Sequence, residues 1–182
     1  MKNRIYYFTI CSFLLLGTAC SPDSSENSGA DVPLKATQLN ASNGATQISG
    51  VGFYASEAEC DYASEGADFA LLLTGDLEGC LFVYVESYEC SPSGTYRESG
   101  REYFVGTYMG EPGTFWTDYN FEAKYEGCSE EGFFLGAEIF GRCQHPIVNE
   151  SGTGVFEGVT GRLNFKDNVD TGEFPYKGHL RY

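Results

Sequence analysis

The most regular hydrophobic pattern in the chain runs from Phe115 to Tyr125, where side chains of two kinds alternate with a period of two. Such alternation is typical of a strand that turns one face to a core and the other to water. The first face holds Phe115, Thr117, Tyr119, Phe121, Ala123 and Tyr125, and the second holds Trp116, Asp118, Asn120, Glu122 and Lys124. The stretch therefore predicts a half-buried strand.

Similar alternation, or short runs rich in β-formers, predicts six further strands. They cover residues 69–73, 81–85, 102–109, 133–140, 155–165 and 174–182. Clusters of turn-forming residues separate them, at 75–76, 91–94, 111–113 and 170–172. No window of the sequence has a sustained helical period, so the folded part is predicted to be all-β.

Seven or eight short strands between residues 48 and 182 predict either a sandwich or a closed barrel. Glycines inside the predicted strands favour the barrel, because a tightly closed sheet needs bulges and corners that glycine accommodates. These are Gly106, Gly136, Gly158, Gly161 and Gly178. The predicted fold is an antiparallel closed barrel of about eight strands.

The N-terminal segment has the three parts of a secretory signal: basic residues, an apolar run over 5–16 and small residues before Cys20. The run is too short to span a bilayer, which takes about 20 apolar residues. LLLGTAC resembles a bacterial lipoprotein signal, although Gly17 stands where leucine is usual. We therefore expect a signal peptide over 1–19, a lipidated Cys20 with a flexible polar tether over 20–47, and a barrel domain over 48–182.

Composition and charge limit the classes of partner that the protein can be expected to bind. The 182 residues include 14 Phe, 13 Tyr and 23 Gly, which suits a β fold with a real core. The formal net charge of −15 indicates solubility and disfavours nucleic acid as a partner, because phosphate binding needs a concentrated basic patch. The expected partner is a membrane, reached through the lipid on Cys20. The oligomeric state stays open.

Five cysteines remain in the expected mature domain, in an oxidising compartment. They allow at most two disulfides and one free thiol, in fifteen arrangements that spacing cannot separate. The candidates are Cys60, Cys80, Cys90, Cys128 and Cys143. Neither a metal site nor a cofactor is expected, because Cys143 and His145 have no matching pair of ligands.

Two candidates for proton transfer stand out. Glu138 alternates with Phe134 and Phe140 on a strand either of whose faces could be interior. If it points inward, desolvation would raise its pKa, whereas an outward Glu138 would be an ordinary surface residue. Tyr119 is the second candidate. His145 precedes a proline and is expected at the barrel rim.

The stretch SGTGVFEGVTGRLNFKD, continued by YKGHL, resembles the glycine-patterned hairpin of allene oxide cyclase and dirigent-like barrels. The residues that match its GTG-x-F-x-G-x-x-G run are Gly152, Thr153, Gly154, Phe156, Gly158 and Gly161. Together with GDLEGC and GRCQHPI, the pattern also resembles a group of uncharacterised bacterial secreted lipoproteins. The resemblance implies an eight-stranded barrel with a hydrophobic lumen, in a superfamily of cyclases and of proteins that orient aromatic radicals. It carries no polar active-site residue to this chain.

The expected function is that of a barrel anchored to the cell envelope, at the outer membrane, that binds a small apolar or aromatic ligand or a protein partner. The residues expected to contact a ligand are Phe115, Tyr119, Phe121 and Phe156. One alternative is a cyclase or isomerase that holds an unsaturated substrate in the lumen while Glu138 or Tyr119 handles protons. The other is a purely structural envelope protein.

Overall fold

The computed structural model describes residues 44–182. The predicted signal peptide, the lipidation site Cys20 and most of the predicted tether lie outside the described residues. The elements in chain order are β1 Thr46–Tyr54, α1 Tyr62–Glu65, β2 Phe69–Gly75, β3 Leu77–Cys90, β4 Thr95–Tyr108, β5 Glu111–Cys128, β6 Phe134–Pro146, β7 Thr153–Gly154, β8 Thr160–Lys166 and β9 Phe174–Arg181. Among residues 44–182, no helix is long and apolar enough to cross a membrane.

The strands form one antiparallel sheet in the order β4-β3-β2-β1-β9-β8-β6-β5, and pairing of β4 with β5 closes it. The short strand β7 adds to β5 beside the barrel. The predicted all-β fold, a closed antiparallel barrel of eight strands, is confirmed. The period of two in β5 is confirmed as well, because Phe115, Thr117 and Tyr119 are buried while Asp118 and Asn120 are exposed.

Three local predictions are wrong. β1 was not among the predicted strands, because Gly50 and Gly52 interrupt its apolar pattern. The predicted strand over 155–165 begins only at Thr160, and the residues before it form turns. The turn predicted at 111–113 lies within β5. The chain reverses instead at Met109 and Gly110, whose φ angles of 54° and 81° suit a two-residue hairpin turn.

One end of the barrel, called here the closed end, is filled by side chains. It is the end where β4 passes into β5, and the turn after β7 places Phe156 there. The rings of Phe104, Phe115 and Phe156 are all fully buried. The Phe115 ring lies 4.9 Å from each of the other two, centroid to centroid, which is a favourable aromatic packing distance.

Two disulfides brace the sheet. Cys60 pairs with Cys80, joining the segment before α1 to β3, and Cys90 pairs with Cys128, joining the ends of β3 and β5. Among the cysteines of residues 44–182, Cys143 on β6 is the one without a disulfide, and it is buried. The prediction of two disulfides is confirmed, and the structure selects one of the fifteen arrangements.

Candidate functional site

A cavity of about 280 Å³ occupies the opposite end of the barrel, called here the open end. At this end β4 begins, β5 ends and β6 begins. Nine aromatic side chains line the cavity, among them Tyr54, Phe121, Phe134 and Phe165. Tyr54 is 67% exposed and Phe134 is 48% exposed, so these two rings stand at the mouth. The cavity therefore has an aromatic wall and an opening to solvent.

Four carboxylates also line the cavity: Glu98, Glu102, Glu138 and Asp167. The first two come from β4, where the inward face carries Tyr96, Glu98, Gly100, Glu102 and Phe104 in alternation. Gly100 makes room for a neighbour, because a Cβ at this position would lie 2.7 Å from the Tyr119 ring. The inward face of β4 is thus polar toward the open end and aromatic toward the closed end.

Glu102 lies at the centre of a buried polar group. It faces Thr117 across the β4–β5 ladder, and Thr117 Oγ1 donates a hydrogen bond to Glu102 Oε2 at 2.7 Å. His145 Nδ1 makes a hydrogen bond to the same oxygen. Because a carboxylate only accepts, Nδ1 carries the proton in this contact. All three residues are at most 3% exposed.

His145 therefore lies inside the barrel. The position at the rim, which was predicted because Pro146 follows it, is wrong. Pro146 is exposed on β6, and the alternation of the strand turns the preceding residue inward. The imidazole packs 4.6 Å from the Phe165 ring and 6.1 Å from the Tyr119 ring, centroid to centroid. Its second nitrogen, Nε2, is buried and has no hydrogen-bond partner among residues 44–182.

Glu98 forms a second polar group nearer the mouth. Its two carboxylate oxygens accept hydrogen bonds from Tyr96 Oη at 2.6 Å and from Tyr119 Oη at 2.8 Å. Burial, followed by the negative charge of Glu98, raises the pKa of Tyr119 far above its usual range. Tyr119 is therefore a fixed hydrogen-bond donor at neutral pH.

The third polar group joins Glu138 of β6 to Asp167, the residue after β8. Burial raises the pKa of Asp167 to about 7, and a hydrogen bond to Glu138 and the charge of that carboxylate add to the shift. Tyr125 Oη donates to Glu138 Oε2 at 3.3 Å, while Glu138 Oε1 is buried without a partner. A Cβ on Gly141 would lie 2.2 Å from Asp167 Oδ2, so only glycine admits this approach.

The predicted ligand residues divide between the two ends. Tyr119 and Phe121 line the cavity, whereas Phe115 and Phe156 pack into the closed end and do not reach it. Glu138 lines the cavity, which settles the strand face that its sequence left open. Cys143 also lines it, and burial followed by the charge of Glu102 raises the pKa of its thiol, which keeps it protonated.

Glu98, Glu102 and Asp167 were not predicted as site residues. The alternation of Tyr96, Glu98, Gly100, Glu102 and Phe104 was the available signal for the first two. An inward strand face is expected to be apolar, so glutamates on it read as surface residues. Asp167 lies just before the turn predicted at 170–172, and only the fold brings it to Glu138.

Within residues 44–182, no group of three or more His, Cys, Asp or Glu side chains is placed to hold a metal ion. No protein-family model matches this chain, and no curated protein is similar to it at a significant level.

Proposed function

We propose that this protein is a lipid-anchored barrel of the cell envelope that binds a small apolar or aromatic ligand at the open end. The observation that carries the proposal is the cavity of about 280 Å³, lined by nine aromatic side chains, in a barrel whose other end is packed solid. Pockets for drug-sized ligands occupy about 300–1,000 Å³. The ligand is therefore small.

The path of the chain fits anchoring through Cys20. β1 begins at Thr46, which pairs with Leu180 toward the closed end, and it ends at Tyr54 at the mouth. A tether to Cys20 would therefore join the barrel at the end opposite the mouth. The two disulfides are compatible with an exported protein. Replacing Cys20 by serine should move the protein from the membrane fraction to the soluble one, and unchanged fractionation would refute the anchor.

Mass spectrometry of small molecules retained by the purified protein tests the binding function. Val83→Phe adds a ring inside the cavity, whereas Val105→Phe adds the same ring on the exposed outer side of β4. The wild type and Val105→Phe should retain the same compound, and Val83→Phe should lose it. Equal retention by all three proteins would show that the molecule binds elsewhere.

A second candidate function, a cyclase or isomerase, is favoured by the contact between Glu102 and His145. A histidine that donates Nδ1–H to a carboxylate has Nε2 free to accept a proton. The Asp167–Glu138 pair, which lines the same cavity, could supply a proton near neutral pH. In this function Tyr119 stays a donor to Glu98, and Glu138 acts within the pair.

Proton transfer can be tested on the retained molecule itself. In D₂O an isomerase should exchange a carbon-bound hydrogen of that molecule for deuterium, and His145→Gln should abolish the exchange while retention persists. Retention without exchange in the wild type would leave binding as the function. A barrel that retains nothing would support the structural alternative. A protein partner would have to use exposed side chains, of which β6 offers Leu135, Ile139 and Phe140.

A further inference from the structure

Most of the hydrogen-bond donors that line the cavity are already engaged. The hydroxyl groups of Tyr96 and Tyr119 donate to Glu98, that of Tyr125 donates to Glu138, and His145 Nδ1–H donates to Glu102. Within residues 44–182, no Lys, Arg, Asn or Gln side chain lines the cavity. The described wall therefore offers mainly acceptors to a ligand, and its donors without a protein partner are the Tyr54 hydroxyl at the mouth and the weak Cys143 thiol.

Two of these acceptors have no partner within the described part of the chain. They are His145 Nε2 and Glu138 Oε1, the latter apart from the carboxyl group of Asp167, which shares a proton with Glu138. His145 is 97% buried, since its relative exposure is 3%. A buried polar atom without a partner is costly, and such atoms in native proteins call for an explanation. A hydrogen-bond donor in the cavity would satisfy either of them.

The charge of the wall points to the same kind of molecule. The four carboxylates meet no lysine or arginine in the cavity, and the aromatic faces around them attract cations through their negative quadrupoles. A carboxylate or phosphate ligand would face repulsion from Glu98, Glu102 and Glu138. A neutral apolar ligand would leave both acceptors without donors.

We propose that the ligand is an amine, with an ammonium group held between the carboxylates and an aromatic or alkyl body against the rings. This inference rests on the proposed binding function and names the class of its ligand. The ammonium N–H groups would donate to Glu138 Oε1, and the body would lie along Phe121 and Phe165.

Binding of a cation should displace a proton from the Asp167–Glu138 pair. The groups that face Asp167 are Glu138 of β6, Tyr125 of β5, Tyr54 of β1 and Cys143, and none of them is a cation at neutral pH. Below pH 7 the Asp167 carboxyl group holds its proton, and an ammonium group beside it favours the ionised form. Affinity should therefore rise between pH 5.5 and 8, while an alkylamine stays protonated throughout.

Isothermal titration of the mature protein with matched probes tests the inference. The probes are 2-phenylethylamine, 2-phenylethanol and 3-phenylpropionate, with hexylamine and hexanol as a second pair. Each amine should bind at least about tenfold more tightly than its alcohol, since a charged hydrogen bond is worth about 1.5–3 kcal/mol and tenfold is about 1.4 kcal/mol. The carboxylate should not bind measurably. Titrations in buffers of different ionisation enthalpy should show proton release with the amines at pH 6.5.

A pair of variants locates the effect. Glu138→Gln should remove most of the preference for amine over alcohol, whereas Glu157→Gln, which changes an exposed residue near the closed end, should leave it unchanged. If Glu138→Gln does not fold, the pH dependence and proton release of the wild type decide. Alcohols that bind as tightly as the amines, or a retained compound that lacks an amino group, would overturn the inference and leave the proposed function standing. No binding by any probe and no retained compound would overturn both.

Discussion

The two ends of the barrel handle buried polar groups in opposite ways. At the closed end the Tyr176 hydroxyl accepts a hydrogen bond from the Leu77 amide at 3.0 Å and lies 3.3 Å from the Thr74 carbonyl oxygen, to which it can donate. At the open end Glu102 and His145 are equally buried, yet His145 Nε2 is left without a partner.

This difference separates stability from function within one sheet. The closed end combines close aromatic packing with satisfied polar groups, which is the arrangement that maximises folding stability. The open end holds a cavity and unpaired acceptors, each of which costs stability. Features that weaken a fold in one confined place are typical of a binding site.

The largest effect is expected from the closed end. Phe156→Ala should lower the free energy of unfolding by about 3–5 kcal/mol, because it empties a fully buried site against Phe104 and Phe115. Urea denaturation of the mature protein measures the loss. Ligand retention should persist in the folded fraction. The same change at the mouth, Phe134→Ala, should cost much less, since Phe134 is 48% exposed. Equal losses would contradict a division between the two ends.

The second-largest effect on stability is expected from the disulfide at the open end. Replacing Cys90 and Cys128 together by serine should cost about 2–4 kcal/mol, because their bond closes a long loop of the unfolded chain. The bond also joins β3 to the end of β5 near the mouth, so ligand affinity should fall with stability. The matched change of Cys60 and Cys80 should reduce stability and spare affinity, because that bond holds the outer segment before α1. Unchanged affinity in both variants would show that the mouth needs no such brace.

The comparison also explains which parts of the molecule the sequence could predict. β5 was predictable because its inward positions are apolar or small along most of its length, so the period of two stands out. β4 obeys the same geometry, but Glu98 and Glu102 on its inward face hide the pattern. The barrel follows from residues that satisfy the usual rule for a core.

The site consists of residues that break that rule, and for this reason much of it was not predicted. Burying Glu102 is tolerable only because Thr117 and His145 reach it from other strands, and spacing along the chain does not encode such contacts. The meeting of Asp167 with Glu138 depends on Gly141, which has no side chain to separate them. Glu138 was a candidate because its own strand alternates, whereas its partner lies beyond a different strand.

A pair of substitutions tests how the two ends treat their polar groups. Glu102→Ala should cost about 1–3 kcal/mol, because Thr117 Oγ1 and His145 Nδ1 would lose their acceptor in a buried place. Tyr176→Phe at the closed end should cost about 1 kcal/mol, since it removes a hydroxyl whose backbone partners lie at a turn. Denaturation curves of both variants give the comparison. A larger loss for Tyr176→Phe would show that the closed end depends on polar contacts more than its packing indicates.

The smallest effect concerns pH and belongs to the open end alone. Asp167 has a pKa of about 7 in the folded protein against an ordinary value of 3.8, so the folded state holds a proton that the unfolded chain has released. Between about pH 4 and pH 7 this group should therefore make the protein less stable as pH rises, with no further change above pH 7.

Asp167→Asn should remove that slope and stabilise the protein at pH 8 by about 1 kcal/mol or less, because the carboxyl group is partly exposed and solvent screens it. Asp170→Asn, on the exposed turn that follows, is the matched control, and its curve of unfolding free energy against pH should overlay that of the wild type. If Asp167→Asn keeps the slope, the proton resides elsewhere in the barrel, and the open end is not the part of the molecule that responds to neutral pH.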